Sequence, residues 1–167
     1  MSIHIRPMRD QDALSFLTVH HAAVRGLAAK DYLPDVIECW APMPITEPQL
    51  EQVLANGANE IRLLAEIDGE IVGLGAIIVA KNELRACYVA PRATRRGVGT
   101  ALVRELERTA LEHGLEWLVL DASLTAVPFY AALGYGVLGR GEHVLASGKR
   151  MACVKMCKPL SPSRGSW

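Results

Sequence analysis

Apolar and polar positions change period several times along the chain, and each change marks an element. Ile3-His4-Ile5-Arg6 alternates with period two, as a short half-buried strand does. Asp10 then stands as an N-cap, and Ala13, Leu14, Leu17, His21 and Val24 recur at helical spacing before Gly26 ends the run. Pro34 opens a short helix through Trp40. Thr46 caps another, with Glu47 and Pro48 in its first turn and Asn56-Gly57 as its stop. The middle of the chain switches to strands. Segments 61–67 and 70–79 flank Asp68-Gly69, a tight-hairpin dipeptide, and Lys81-Asn82 turns the chain into a strand over 83–89. A strongly amphipathic helix spans about 97–113. In it Leu102, Leu106 and Ala110 repeat every four residues, Arg104, Glu105, Arg108 and Glu112 are left to water, and Gly114 is the stop. Trp117 to Leu120 is a continuous apolar run, the pattern of a strand buried on both faces. A short helix over 126–133 and a closing pair of strands, 135–138 and 149–158, follow. This order predicts an α/β (α+β) domain over 1–158, a mixed sheet with helices on its faces. The Pro/Ser/Gly-rich end of the chain predicts a disordered tail over 159–167.

Composition narrows the function classes. Lys+Arg and Asp+Glu balance at 18 each, so the chain as a whole carries no basic bias toward nucleic acid or an anionic membrane, and any anion site must be local. The longest uncharged apolar stretch, Ile71 to Ala80, is strand-sized and broken by Gly73 and Gly75, well short of the roughly 20 residues of a membrane helix. Residues 1–9 alternate in charge without an apolar core, which points to a cytoplasmic protein. Cys39, Cys87, Cys153 and Cys157 form no C-x-x-C pair and no zinc spacing with histidine, so reduced cysteines and no metal are expected.

The most informative segment is Cys87 to Leu102. A strand ends, a short basic loop turns, and a helix begins at two glycines. A helix start offers unpaired N–H groups and the positive end of the macrodipole. Gly97 and Gly99 have no side chain to hold a phosphate away, and Arg95 and Arg96 add local positive charge. That combination suits a pyrophosphate. The dinucleotide fingerprint fails because its third small position is Leu102, and a P-loop fails for want of Gly-Lys-Ser/Thr.

Thr94 to Thr100 resembles the pyrophosphate motif of the GNAT N-acetyltransferases, Gln/Arg-x-x-Gly-x-Gly/Ala, and Tyr88-Val89-Ala90-Pro91 looks like the strand leading into it. Ser123 to Tyr135 resembles the later signature of that family, Asn-x-x-Ala-x-x-Phe-Tyr-x-x-x-Gly-Phe, at the matching distance. The resemblance covers about residues 1–158, most specifically 83–135. Thr94 stands for the usual Gln/Arg, Thr125 where the family often has Asn, and Tyr135 for Phe. The resemblance implies a mixed, mostly antiparallel sheet with helices on both faces, whose fourth and fifth strands (83–89 and 117–121) part to admit acetyl-CoA. It implies that the backbone of Cys87, Tyr88 and Val89 pairs with the pantetheine arm. It further implies that Arg95, Arg96, Gly97, Val98, Gly99 and Thr100 cradle the pyrophosphate, that Thr125 occupies a pantetheine-contact position, and that Phe129 and Tyr130 lie near the thioester.

Acetyl transfer to an amine requires a neutral amine, although a lysine-like ammonium has a pKa of about 10.4, and the leaving thiolate benefits from a proton donor. Tyr130 is the donor candidate. Glu83 is the base candidate, because on a regular strand its side chain faces as Val89 does, six residues on. His20, His21, Glu38 and His143 are the reserve candidates, and Tyr32 and Trp40 fall in the region that binds the acceptor in the family. The reading is direct transfer of acetyl from acetyl-CoA to a small, amino-acid-like primary amine. Its rivals are a protein N-terminal or lysine acetyltransferase, a non-catalytic acyl-CoA-binding regulator, and a nucleotide-binding protein of another fold. A homodimer is left open.

Overall fold

The computed structural model describes residues 2–161. Its strands are β1 (Ile3–Pro7), β2 (Ile61–Ile67), β3 (Glu70–Ile78), β4 (Glu83–Val89), β5 (Trp117–Ser123), β6 (Gly136–Val144) and β7 (Arg150–Pro159). Its helices are α1 (Ala13–Leu27), α2 (Pro34–Trp40), α3 (Glu47–Ala55), α4 (Val98–Glu112) and α5 (Val127–Ala132). The sheet order is β1-β2-β3-β4-β5-β7-β6. All neighbours run antiparallel except β4 and β5. The mixed α/β sheet expected from the sequence is therefore present.

Local chemistry explains most boundaries. Asp68 and Gly69 both have positive φ, 52° and 79°, as the β2–β3 hairpin turn requires. Thr46 and Gln49 form a capping box at the start of α3, where the Thr46 N–H donates to Gln49 Oε1 at 2.7 Å. Asp10 is not the cap of α1. It lies in a 3₁₀ turn over Asp10–Asp12, and the carboxylate that matters is that of Asp12. Asp12 accepts the Arg9 N–H at 2.8 Å and two guanidinium N–H groups of Arg6 at 2.8 and 3.0 Å, while Arg6 Nε donates to Glu66. The hydrogen bonds from Arg6 hold the Asp12 carboxyl below its ordinary range against the opposing effect of burial.

The buried face of α1 is the expected one except at a single position. Ala13, Leu17, His21 and Val24 are buried as expected, joined by Phe16 and Val19, and only Leu14, about 100° around the helix from Ala13, stays 55% exposed. The strand covered on both faces is β3, where Val72 to Ile78 are all buried, and not β5. β5 alternates instead. Leu118, Leu120 and Ala122 are buried, whereas Trp117 is 46% exposed. The reason is position: β3 lies mid-sheet, with α4 on one face and α1 on the other, whereas one face of β5 borders a cleft. The closing strand pair is longer than expected, since β6 continues to Val144 past a bulge at Leu138. Pro159 still belongs to β7, and the Leu160 N–H donates to Glu116 O at 2.8 Å. The rest of the expected tail, 162–167, lies outside the described residues.

Two apolar layers clamp the sheet. Leu102, Val103, Leu106 and Ala110 of α4 pack with Ala65, Ile77, Leu84 and Leu118 on one face, together with Tyr130 of α5. Phe16, Leu17 and Val19 of α1 pack with Leu64 and Leu74 on the other. A third cluster, Val24, Ala28, Ile37 and Ala41, fastens α2 to α1. This places α2 and α3 on the α1 side and the N-terminus of α4 at the end of β4.

Candidate active site

The two parallel strands in the middle of the sheet touch at one end only. Glu83 pairs with Val119, the Val119 N–H donates to Asn82 O at 2.8 Å, and no further β4–β5 register exists among the described residues. From there the strands part. The edge of β4 that faces β5 is left unpaired, so its backbone groups are available to an extended ligand lying between the strands as an added strand would. The gap holds a cleft of about 70 Å³ lined by Tyr88, Asp121, Tyr130, His143 and Cys153 among others. That volume accommodates a small group such as an acetyl at the inner end of such a ligand.

At the open end stands the start of α4. Arg95 and Gly97 both adopt left-handed backbone, φ 62° and 82°, so the chain makes two reversals before the helix. Gly97 is the N-cap, and its carbonyl accepts the Ala101 N–H at 3.0 Å. The N–H groups of Val98, Gly99 and Thr100 therefore precede the first intrahelical donor. Arg95 and Arg96 are exposed beside them. An added Cβ at Gly97 meets nothing within 4 Å, so this surface is open to an approaching anion. Gly99 is different: a Cβ there would lie 3.0 Å from Phe129 Cζ, which shows the aromatic ring seated on the first turn of α4.

Tyr130 is buried in the cleft wall, its ring 5.0 Å from that of Phe129 and 5.7 Å from that of Tyr135. Burial pushes its hydroxyl well above the ordinary tyrosine range, and the neighbouring Cys87 adds to the shift. The group therefore keeps its proton throughout the working range and is able to act as a donor.

On the other side of the sheet a groove of about 470 Å³ runs between α1, α3 and the β6–β7 turn, a size typical of small-ligand sites (roughly 300–1,000 Å³). Trp40, Arg85, Ala86, Tyr88 and His143 line both groove and cleft, so the two adjoin. The 30s segment straps the open end. The Tyr32 hydroxyl donates to Ala152 O at 2.6 Å and accepts the Leu124 N–H at 2.8 Å, and Lys149 Nζ donates to Asp35 at 2.6 Å.

Comparison with known proteins decides the family. The acetyltransferase (GNAT) domain matches residues 28–156. The chain is 30% identical over 134 residues to the uncharacterized N-acetyltransferase YafP of Escherichia coli (strain K12), covering 80% of this chain and 81% of that protein. The chain belongs to the GNAT acetyltransferase family. A solved GCN5-related N-acetyltransferase from Rhodopseudomonas palustris superposes with a TM-score of 0.85 at 29% identity, covering 96% of this chain and 97% of that one. The PaiA N-acetyltransferase of Thermoplasma acidophilum, solved with coenzyme A, shares the fold at a TM-score of 0.74 and 22% identity over 95% of this chain and 99% of that one. As a GNAT member the protein is an acyl-CoA-dependent N-acetyltransferase.

Within this GNAT site the sequence-predicted residues divide into groups. Arg95 to Thr100 form the loop and helix start as the spacing implied. Cys87 and Val89 turn their side chains toward α4, with Cys87 Sγ 3.9 Å from Gly99 O, and Tyr88 points into the groove. Thr125 is engaged elsewhere: its hydroxyl donates to Asp31 Oδ2 at 2.6 Å, tying the β5–α5 turn to the strap.

Glu83 reaches the cleft for a reason other than the expected one. Register slips between Ala76 and Ile77, whose partners are Ala86 and Leu84, so Arg85 is an extra residue. The bulge reverses the facing of everything before it. Leu84 thus joins Val89 in packing on the α4 side, and Glu83 faces the opposite way from Val89. It lines the cleft with a 3.4 Å contact to Arg85 Nη1.

Of the reserve candidates, His20 lies 4.6 Å from the Tyr88 ring, and burial, then His21, pushes it down to about 3. His21 faces Met43 Sδ, and Glu38 holds Arg25 through two bonds of 2.9 Å. His143 meets Asp121, a residue with no motif to mark it.

Proposed function

We propose that this enzyme moves an acetyl group from acetyl-CoA directly to the primary amine of a small, amino-acid-like molecule, with both substrates bound at once. The observation that carries the reading is the wall that groove and cleft share: an amine in the groove beside Tyr88 and Trp40 adjoins a thioester held in the β4–β5 split. Arg95 to Thr100 hold the pyrophosphate on the N–H groups of the first α4 turn, and the unpaired edge of Cys87, Tyr88 and Val89 holds the pantetheine arm. Phe129 braces that turn through Gly99. Tyr130, the buried and protonated phenol of the cleft wall, donates to the leaving thiolate. The Glu83 carboxylate draws the ammonium inward. Arg85, 38% exposed and only loosely paired at 3.4 Å to Glu83 and 4.0 Å to Glu60, is placed to take a carboxylate.

The test is a CoA-release assay with a panel that pairs amino acids with their decarboxylated amines. Turnover should favour the carboxylate-bearing member, and initial velocities should give intersecting lines in double-reciprocal plots. Parallel lines would refute direct transfer, and an equal preference would remove the amino-acid assignment.

A further inference from the structure

We propose that His143, held by Asp121, accepts the proton of the incoming ammonium. The inference rests on the acetyl-transfer reading above and names its missing base. Asp121 is on β5 and His143 on β6, and β7 separates the two strands in the sheet. The side chains nevertheless meet, with Nδ1 3.1 Å from Oδ2. The other oxygen of Asp121 accepts Lys155 Nζ at 2.8 Å. Lys155 reaches it because β6 carries glycine beneath its stem: a Cβ at Gly141 would lie 2.8 Å from Lys155 Cε.

Burial opposes ionisation of Asp121, but the N–H groups of Lys155 and His143 outweigh it and hold the carboxyl below its ordinary range. An ionised carboxylate only accepts hydrogen bonds. In the neutral imidazole Nδ1 must then carry the proton, which leaves the lone pair on Nε2. His143 lines both the cleft and the groove, on the wall they share. A base oriented by a third group is the arrangement an activated nucleophile needs.

The charged and titratable groups around this cleft are few. β4 contributes Glu83, Arg85, Cys87 and Tyr88, the last two kept protonated by burial; β7 contributes Lys155 and Cys153, and Tyr130 comes from α5. On α1, His20 is held neutral and far too acidic in its protonated form to hold a proton near neutrality. The Glu83 carboxylate is already in contact with the Arg85 guanidinium at 3.4 Å, whereas His143 is oriented by Asp121.

The proton balance closes. The ammonium loses one proton to His143 Nε2 and becomes a nucleophile. Its nitrogen forms the N–C bond to the thioester carbonyl as the C–S bond breaks. Tyr130 supplies the proton of the new CoA thiol, and the second N–H proton restores Tyr130. His143 returns its proton to solvent, so one proton leaves per turnover.

The test compares the unmutated enzyme with His143→Gln, His143→Ala, Asp121→Asn and Glu83→Gln on one amine that the unmutated enzyme acetylates. The readouts are kcat/KM against pH and, separately, acetyl-CoA affinity by calorimetry, which reports that each variant is folded. His143→Gln should lower kcat by about 10²–10⁴-fold at neutral pH. It should also lose the acid limb of the profile, recover part of the rate at alkaline pH and leave acetyl-CoA affinity unchanged. Added imidazole should restore turnover to His143→Ala. Nitrogen NMR should show a proton on His143 Nδ1 that Asp121→Asn weakens or moves. A His143→Gln enzyme with full kcat/KM and an intact acid limb overturns the inference, as does loss of that limb in Glu83→Gln alone or a His143 ring bare at Nδ1. If the unmutated enzyme binds acetyl-CoA yet acetylates no amine, the acetyl-transfer reading fails first and takes this inference with it. Normal turnover with a dispensable His143 refutes this inference only.

Discussion

Gly73 lies beneath the first turns of α4, against Val98 and Leu102, and Gly73→Ala gives a sharp test of how the phosphate-binding end is positioned. A Cβ at this site would lie 2.9 Å from both Val98 Cγ1 and Leu102 Cδ1. Carbon pairs prefer about 3.5–4.0 Å, so each contact is roughly 0.6–1.1 Å too short. Neither neighbour has room to yield. Val98 and Leu102 are 1% and 0% exposed, and a valine in a helix is confined to nearly one χ1 rotamer. The displacement therefore falls on the first turn of α4, whose N-cap is Gly97. Overpacking of this kind costs about 1–3 kcal/mol. At roughly 2–4 °C per kcal/mol for a domain of this size, Tm should fall by about 2–12 °C. Acetyl-CoA affinity should fall too, because the moved turn is the proposed pyrophosphate cradle. The assay is calorimetric unfolding with acetyl-CoA titration, and Gly57→Ala, whose Cβ meets nothing within 4 Å, is the control expected within about 0.5 kcal/mol of the unmutated protein. Adding Val98→Ala to Gly73→Ala removes one of the two clashing methyls, so the double variant should be less destabilised than the sum of the singles. An unchanged Tm and Kd in Gly73→Ala, or strict additivity in the cycle, would refute the reasoning.

Three further outcomes are expected. Tyr130→Phe keeps the ring contacts with Phe129 and Tyr135 and loses only the donor, so kcat should fall by about 10²–10⁴-fold with acetyl-CoA affinity nearly intact. An unchanged kcat where chemistry limits the rate would return Tyr130 to packing. Gly97→Val forces a β-branched residue to φ 82° on the open face of the loop, so acetyl-CoA should bind about tenfold more weakly or worse, measured by calorimetry; equal affinity would exclude the cradle. Asp12→Asn removes a charged acceptor of Arg6 and should cost about 1.5–3 kcal/mol at neutral pH in urea unfolding. The folded-state pKa of Asp12 is lowered, so its contribution is complete above the ordinary aspartate value and disappears as pH falls through the folded one; a deficit that stays constant into strong acid would contradict this.

The sequence by itself determined the features that depend on near neighbours along the chain. The two-glycine start of α4, its four-residue apolar repeat and the Asp68-Gly69 hairpin are local conformational preferences, and the two motifs at 94–100 and 123–135 carried the family with them. Even the placement of Tyr130 on a short helix beside β5 followed from them. What only the tertiary structure decided is where side chains point once strands pair. Glu83 faces the cleft because a bulge at Arg85 shifts the β3–β4 register by one residue, and side-chain facing has a period of two, so one extra residue reverses it. Thr125 lies within the family's later signature, yet its hydroxyl is held by Asp31, 94 residues away. Asp121, His143 and Lys155 are unremarkable in their own segments. They converge because β7 pairs with both β5 and β6, which sets residues 22 and 34 apart in sequence within hydrogen-bonding distance. No window along the chain encodes such a contact, since its energy depends on the desolvation and geometry that only the assembled sheet supplies.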